Sequence, residues 1–188
     1  DGITFVDVKY TGFEDTEINP YYMDQNDAFS GYGLKATTSI DGFDLTAHYA
    51  ATNEDDNDID DGDIMHLEIA TTVSDISLAL GYIGSDDGVG SIADIDDNIE
   101  PSEELGDSIY GADSDTFYGS ISADVGMVSL GALYTTVEHD NDRDQEIVLS
   151  VSSDITDEIS VELVAFSSDF EHSDDDINGV YLTTSYSF

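Results

Sequence analysis

Residues 179–188 read GVYLTTSYSF. Val180, Leu182, Tyr186 and Phe188 fall on one side of an extended chain, and Tyr181, Thr183, Ser185 and Ser187 on the other. A strict period of two with one apolar and one polar side describes a strand between two different environments. Working back from this stretch, the same period recurs through the chain, and nowhere does an apolar 3.6-residue pattern persist beyond a turn or so. The spacing predicts an all-β protein of ten strands at residues 3–13, 29–40, 43–53, 64–73, 76–85, 116–125, 127–138, 146–154, 158–168 and 179–188, forming one domain over 1–188.

The connections carry the topology. Four are tight, at Asp41-Gly42, at Ser74-Asp75, around Gly126 and around Thr156, and Asp-Gly between alternating strands is the strongest short hairpin signal. Five are longer and acidic: EDTEINPYYMDQNDA, NEDDNDIDDGD, the stretch from Ser85 through Asp115, EHDNDRDQ and DFEHSDDDIN. Tight and long connections alternate, so an antiparallel up-and-down meander gathers the short turns at one end and the acidic loops at the other. Ten strands also place both termini at the tight-turn end.

Charge narrows the function classes. The chain has 44 acidic residues against three basic ones, Lys9, Lys35 and Arg143, for a formal charge of -41. Nothing in it neutralises phosphates, which excludes a nucleic-acid partner. Eleven Tyr, eight Phe and regularly spaced aliphatics separate it from a disordered acidic chain. No cysteine is present, so disulfides, thiolate metal sites and a cysteine nucleophile are excluded. No apolar run approaches the roughly 20 residues of a spanning helix. The opening DGITFVDVKY lacks the regions of a signal peptide, so an exported protein is represented here by its mature form or a fragment of it.

One face of the strands is apolar, for example Leu34, Leu67, Leu80, Leu149 and Leu182, and the other is small and polar. Aromatics gather near strand ends, with Phe5, Phe43 and Phe188 assigned to the tight turns and Tyr10, Tyr49, Tyr82, Phe117 and Tyr134 to the loops. Two aromatic girdles about an aliphatic band, strands near ten residues, and short turns opposite long loops are features of a bilayer-spanning barrel. The terminal segment ending on Tyr186 and Phe188 resembles the last strand of Gram-negative outer-membrane β-barrels, and the acidic, Gly- and Ser-rich hairpins resemble porins. The resemblance implies a transmembrane β-barrel of about ten strands in the bacterial outer membrane, either a small barrel or the C-terminal part of a larger porin. It implies contact with outer-membrane lipid and lipopolysaccharide, recognition of Tyr186 and Phe188 by the barrel-assembly machinery, and homo-oligomers as a possible state. The arginine ladder of the usual porin eyelet has no counterpart here.

Hairpin counting gives candidate sites. Lys35 lies six residues before Asp41, His48 six after Gly42, Glu68 six before Ser74 and Glu162 six beyond Thr156, all on the polar face. With His66 they form a mid-height belt that is either ordinary polar lining or a selective constriction of a pore. Acidic clusters at Asp58, Asp60, Asp61 and Asp63, and at Asp140, Asp142 and Asp144, suit weak Ca²⁺ or Mg²⁺ binding or a solvated charge run; an EF-hand match fails because its third position is Ile59. No other cofactor is indicated. His139, His172 and Ser173 lie among loop carboxylates without the convergence a catalytic set needs, so no enzyme is expected. The expectation is a porin-like channel for passive diffusion of small hydrophilic solutes, cation-preferring because carboxylates ring its mouth. The alternative is a non-channel surface barrel or a secreted all-β assembly subunit with divalent-cation-binding loops.

Overall fold

The computed structural model describes residues 2–56, 58, 60–86, 101–139, 142–156, 158–171 and 176–187. Its strands are β1 (Ile3–Asp7), β2 (Tyr10–Phe13), β3 (Thr16–Gln25), β4 (Phe29–Ile40), β5 (Phe43–Glu54), β6 (Gly62–Val73), β7 (Ile76–Ser85), β8 (Ser114–Val125), β9 (Val128–His139), β10 (Asp142–Thr156), β11 (Ile159–Asp169) and β12 (Ile177–Tyr186), with one short helix, α1 (Gly106–Ile109), between β7 and β8. They make one antiparallel sheet in the order β1-β3-β4 through β12, with β2 also on β3. Asp41 and Gly42 both adopt positive φ, 52° and 86°, the conformation of a two-residue hairpin whose twist matches its strands. The turns at Asp41-Gly42 and Ser74-Asp75 lie at the same end of the sheet, where every connection is short.

Three expectations need correction. Residues 14–28 are not a long loop, because their centre is β3, paired with β1, β2 and β4. The turn-forming Asp and Asn residues and Pro20 hide the alternation of Ile18, Pro20 and Tyr22 against Asn19, Tyr21 and Met23. Pro20 has no N–H to give the ladder, and the break between β1 and β2 lies opposite it. Val8 N–H still donates to the Pro20 carbonyl (3.1 Å), and Asn19 Nδ2 donates to the Val8 carbonyl (3.1 Å) in place of the missing proline N–H. EHDNDRDQ is also not a long loop, since β9 and β10 run through it and pair as far as His139 with Asp142. Finally, β1 and β2 together form one interrupted strand, so the sheet is eleven strands wide and its ends fall on opposite sides. Ile3 pairs with Gln25 at the loop end, whereas Tyr186 pairs with Ile159 at the turn end. Phe5 is therefore a loop-end aromatic, and Tyr10 and Phe13 are turn-end ones. No ladder joins β1 or β2 to β12 among the described residues, so the path of the sheet is open.

The hydrogen-bonded rows do not run level with the turns. Phe43 pairs with Thr71, two residues short of the strand end at Val73, and Ile76 pairs with Ala123, two residues short of Val125. Each hairpin thus steps past the last, which is the stagger that tilts strands in a barrel wall.

Burial is inverted relative to a water-soluble protein. Leu34, Leu67, Leu80, Leu149 and Leu182 are exposed, whereas His48, His66, Thr116, Thr135, Asp144, Glu146 and Ser168 are buried. An apolar surface this continuous belongs against hydrocarbon. The apolar core is small and sits on the polar face near the loop end. Tyr21, Phe29, Ala50 and Ile64 form one cluster, and Ile83, Leu105, Ile109, Tyr118 and Val137 another. Tyr110 packs on both, so the sheet curls around the segment from Pro101 to Asp113.

Candidate functional site

The inward face is built from transverse rows, each strand contributing every second residue. In one row Asn19 pairs with Lys35, Lys35 with His48, and His48 with His66. In the next row toward the turns, Thr46 pairs with Glu68, Glu68 with Gly81, and Gly81 with Tyr118. Four of the five predicted belt residues are therefore neighbours on adjacent strands.

Two tyrosines brace these rows: Tyr118 joins the two, and Tyr21 ties the first to the row on its loop side. Tyr21 OH lies 2.7 Å from His48 Nε2, and Tyr118 OH lies 2.8 Å from His66 Nε2 and 2.6 Å from Glu68 Oε2. Tyr118 has one proton and the Glu68 carboxylate only accepts, so that proton goes to Glu68 and His66 donates from Nε2 to the phenol oxygen. This fixes the His66 tautomer and leaves its buried Nδ1 without a hydrogen-bond partner among the described residues. The histidines are only 2% and 1% exposed. Both tyrosines reach across the strand beside them because the residue they cross is glycine: Tyr21 is paired with Gly33 and Tyr118 with Gly81. A Cβ at either glycine would overlap the ring.

Glu162 stands apart. It pairs with Ser152 and Thr183, five strands along the sheet from Glu68, and lines a different recess with Glu103, Ser120, Ser122, Ser150 and Tyr181.

The segment from Pro101 to Asp113 is fastened to this face by two carboxylates of β10. Glu146, 1% exposed, accepts from Glu103 N–H (2.6 Å), Glu104 N–H (3.0 Å) and Ser168 Oγ (2.7 Å). Asp144 accepts from Ser108 Oγ (2.7 Å) and from Glu171 N–H (3.2 Å), with His139 Nε2 at 3.1 Å. Thr135 Oγ1 donates to the Pro101 carbonyl, and Leu105 and Ile109 are fully buried beneath. A polar face turned inward, an apolar face turned outward and a connection folded against the inner side are the layers of a membrane barrel wall with an inward-folded loop. A profile of the Gram-negative porin family matches residues 1–188.

The chain belongs to that family. The porin resembles OccK3 (OpdO) of Pseudomonas aeruginosa with a TM-score of 0.79 at 11% identity, over 97% of this chain and 56% of that one. OccK10 (OpdN) of the same organism gives 0.78 at 12%, over 99% and 61%, and OccAB4 of Acinetobacter baumannii 0.79 at 15%, over 98% and 53%. At these identities the likeness is one of fold, and the porin spans between half and about three-fifths of the length of those chains. No curated protein sequence matches it significantly. Family membership places the porin in the bacterial outer membrane.

The remaining site residues distribute as follows. In the connection after β5, Asp61 Oδ1 accepts from Glu54 N–H (2.7 Å), Asp58 N–H donates to Asp56 (3.0 Å), and Tyr49 OH reaches Asp63 (3.4 Å); Asp60 lies exposed in the same connection. Asp142 begins β10 opposite His139, and Asp144 serves the fastened segment. Among the described residues no three of His, Asp and Glu converge as a metal-holding group. Asp140, His172, Ser173 and Phe188 lie outside the described residues, whereas Tyr186 ends β12 with its hydroxyl 3.4 Å from Glu158. Sequence reading missed Glu146, Tyr118, Tyr21 and the glycines beneath the rings. The signals available were an acidic residue at an inward position of a strand and a glycine inside an alternating one.

Lys35→Glu tests the belt. The side chain is partly exposed to the lumen, so folding should change by about 1 kcal/mol or less. If the belt lines a pore, ion selectivity and conductance in planar bilayers should change, toward cations; a variant matching the parent in both would reduce Lys35, His48 and Glu68 to ordinary lining.

Proposed function

We propose that this porin forms the wall of a water-filled diffusion channel for small hydrophilic solutes and that the channel prefers cations. The observation that carries the reading is the inward face itself, where hydroxyls, histidines and carboxylates line the sheet and a carboxylate-latched segment lies against it beside a serine-lined recess. Carboxylates outnumber cations heavily in the whole chain, so the potential inside and at the mouth is negative and raises local cation concentration. Under a KCl gradient in a planar bilayer the reversal potential should favour K⁺, more so at low salt, because the Debye length is about 8–10 Å at physiological ionic strength. Anion preference would overturn the reading.

A second reading draws on the apolar contacts of Leu105, Ile109 and Tyr110 with the wall. They fill the inner face near the loop end, as in a plugged surface barrel, and that reading requires no steady conductance in the same experiment.

A further inference from the structure

We infer that the recess between β8 and β12 is a transit site for hydroxylated primary ammonium solutes, a class represented by amino sugars. The inference rests on the channel reading and names the solute it favours. The recess has a volume of about 390 Å³ and opens on the inward face. Its carboxylates are Glu162 of β11 and Glu103 of the latched segment, and its hydroxyls are Ser120, Ser122, Ser150 and Tyr181.

Glu103 is a positioned group. Its backbone N–H is held by Glu146 Oε1 (2.6 Å), and its carboxylate accepts from Tyr181 OH (2.7 Å) on β12. The segment thus spans from β10 to β12 and suspends a carboxylate over the wall, facing the strand that carries Glu162. Gly131 lies on the floor opposite Ser150, where a Cβ would overlap the serine hydroxyl. Leu133, Val148 and Val164 add apolar surface that suits the C–H face of a ring. Among the described residues no Lys, Arg or His lines the recess, and the two basic or imidazole groups on the described parts of β8 to β12, His139 and Arg143, sit at the loop end. An anion would therefore meet uncompensated negative charge. A neutral sugar finds hydroxyl partners alone, and an ammonium gains charge-assisted hydrogen bonds in addition.

The test uses the full chain in planar bilayers, with glucosamine as probe and N-acetylglucosamine as its uncharged counterpart. Glucosamine should interrupt the K⁺ current with a half-blocking concentration about tenfold below that of N-acetylglucosamine, the factor expected for one charge-assisted hydrogen bond. Glu162→Gln, at an exposed position that tolerates the change, should raise the glucosamine value about tenfold and leave the other unchanged. Gly131→Ala, which fills the floor, should weaken both. Equal block by the two sugars, or a glucosamine value unaltered by Glu162→Gln, overturns the site while the cation-selective channel stands. If the protein carries no current, the channel reading fails, and titration calorimetry of the detergent-folded protein decides the site: glucosamine heat lost in Glu162→Gln supports it, and no heat overturns it.

Discussion

Glu146→Gln is expected to free the segment held against the inner face while leaving the sheet intact. The carboxylate offers two acceptor oxygens to three donors, Glu103 N–H, Glu104 N–H and Ser168 Oγ. A carboxamide keeps one acceptor and turns an NH₂ toward one of those backbone N–H groups, leaving a buried donor unsatisfied and two donors opposed. Each such loss costs about 1–3 kcal/mol. Opening of the segment should become easier by about 2 kcal/mol, which is roughly thirtyfold in population. A glutamyl-specific protease cutting after Glu103 or Glu104 reads that population directly when opening is fast. On the channel reading, single-channel conductance should rise as the segment leaves the inner face, and the thermal midpoint of the barrel should hardly move, since no ladder bond is touched. Equal cleavage rates in the variant and the parent would mean that the apolar contacts of Leu105 and Ile109 hold the segment without the carboxylate.

The second large effect is expected at Gly81. Valine there would drive the Tyr118 ring off the strand it covers, breaking its contacts with His66 and Glu68 together. Overpacking costs about 1–3 kcal/mol and the lost polar contacts a similar amount. The unfolding free energy measured in denaturant should therefore fall by about 2–6 kcal/mol. Tyr118→Phe keeps the ring and loses only the polar part, so it should cost less. Pairing Gly81→Val with Tyr118→Ala removes the clash, and the double variant should be more stable than the sum of the singles predicts. Strict additivity would show that ring and glycine are not coupled.

These two sites mark where sequence reading ends. The hairpin at Asp41-Gly42 is local, so counting from it placed Lys35 beside His48, and the ladder has that pairing. Strands with clean alternation, such as β4 and β5, were legible to within a residue because one face meets hydrocarbon and the other water. β3 was illegible because Pro20 and its polar neighbours mimic a turn; its compensation, a donor from Asn19 to the Val8 carbonyl, acts across eleven residues. Tyr118 meets Glu68 across fifty residues and Glu146 meets Glu103 across forty-three, distances over which no local pattern informs. Hairpin counting ranked Glu162 with Lys35 by height and was blind to the circumference between them.

The stepping of each hairpin past its predecessor makes the inner wall a screw thread. A row followed from Asn19 through Lys35 and His48 to His66 winds around the passage as it changes depth, so a solute moving straight through crosses one thread after another. The pitch is set by where the turns fall. Inserting two residues into one strand of a hairpin, with its turn kept, would preserve which side chains face inward yet displace one part of the thread against the other by about 6–7 Å. Groups that now meet at one depth would then be passed in succession, which makes the short turns, remote from any polar contact with a solute, the parts that set the order of those encounters.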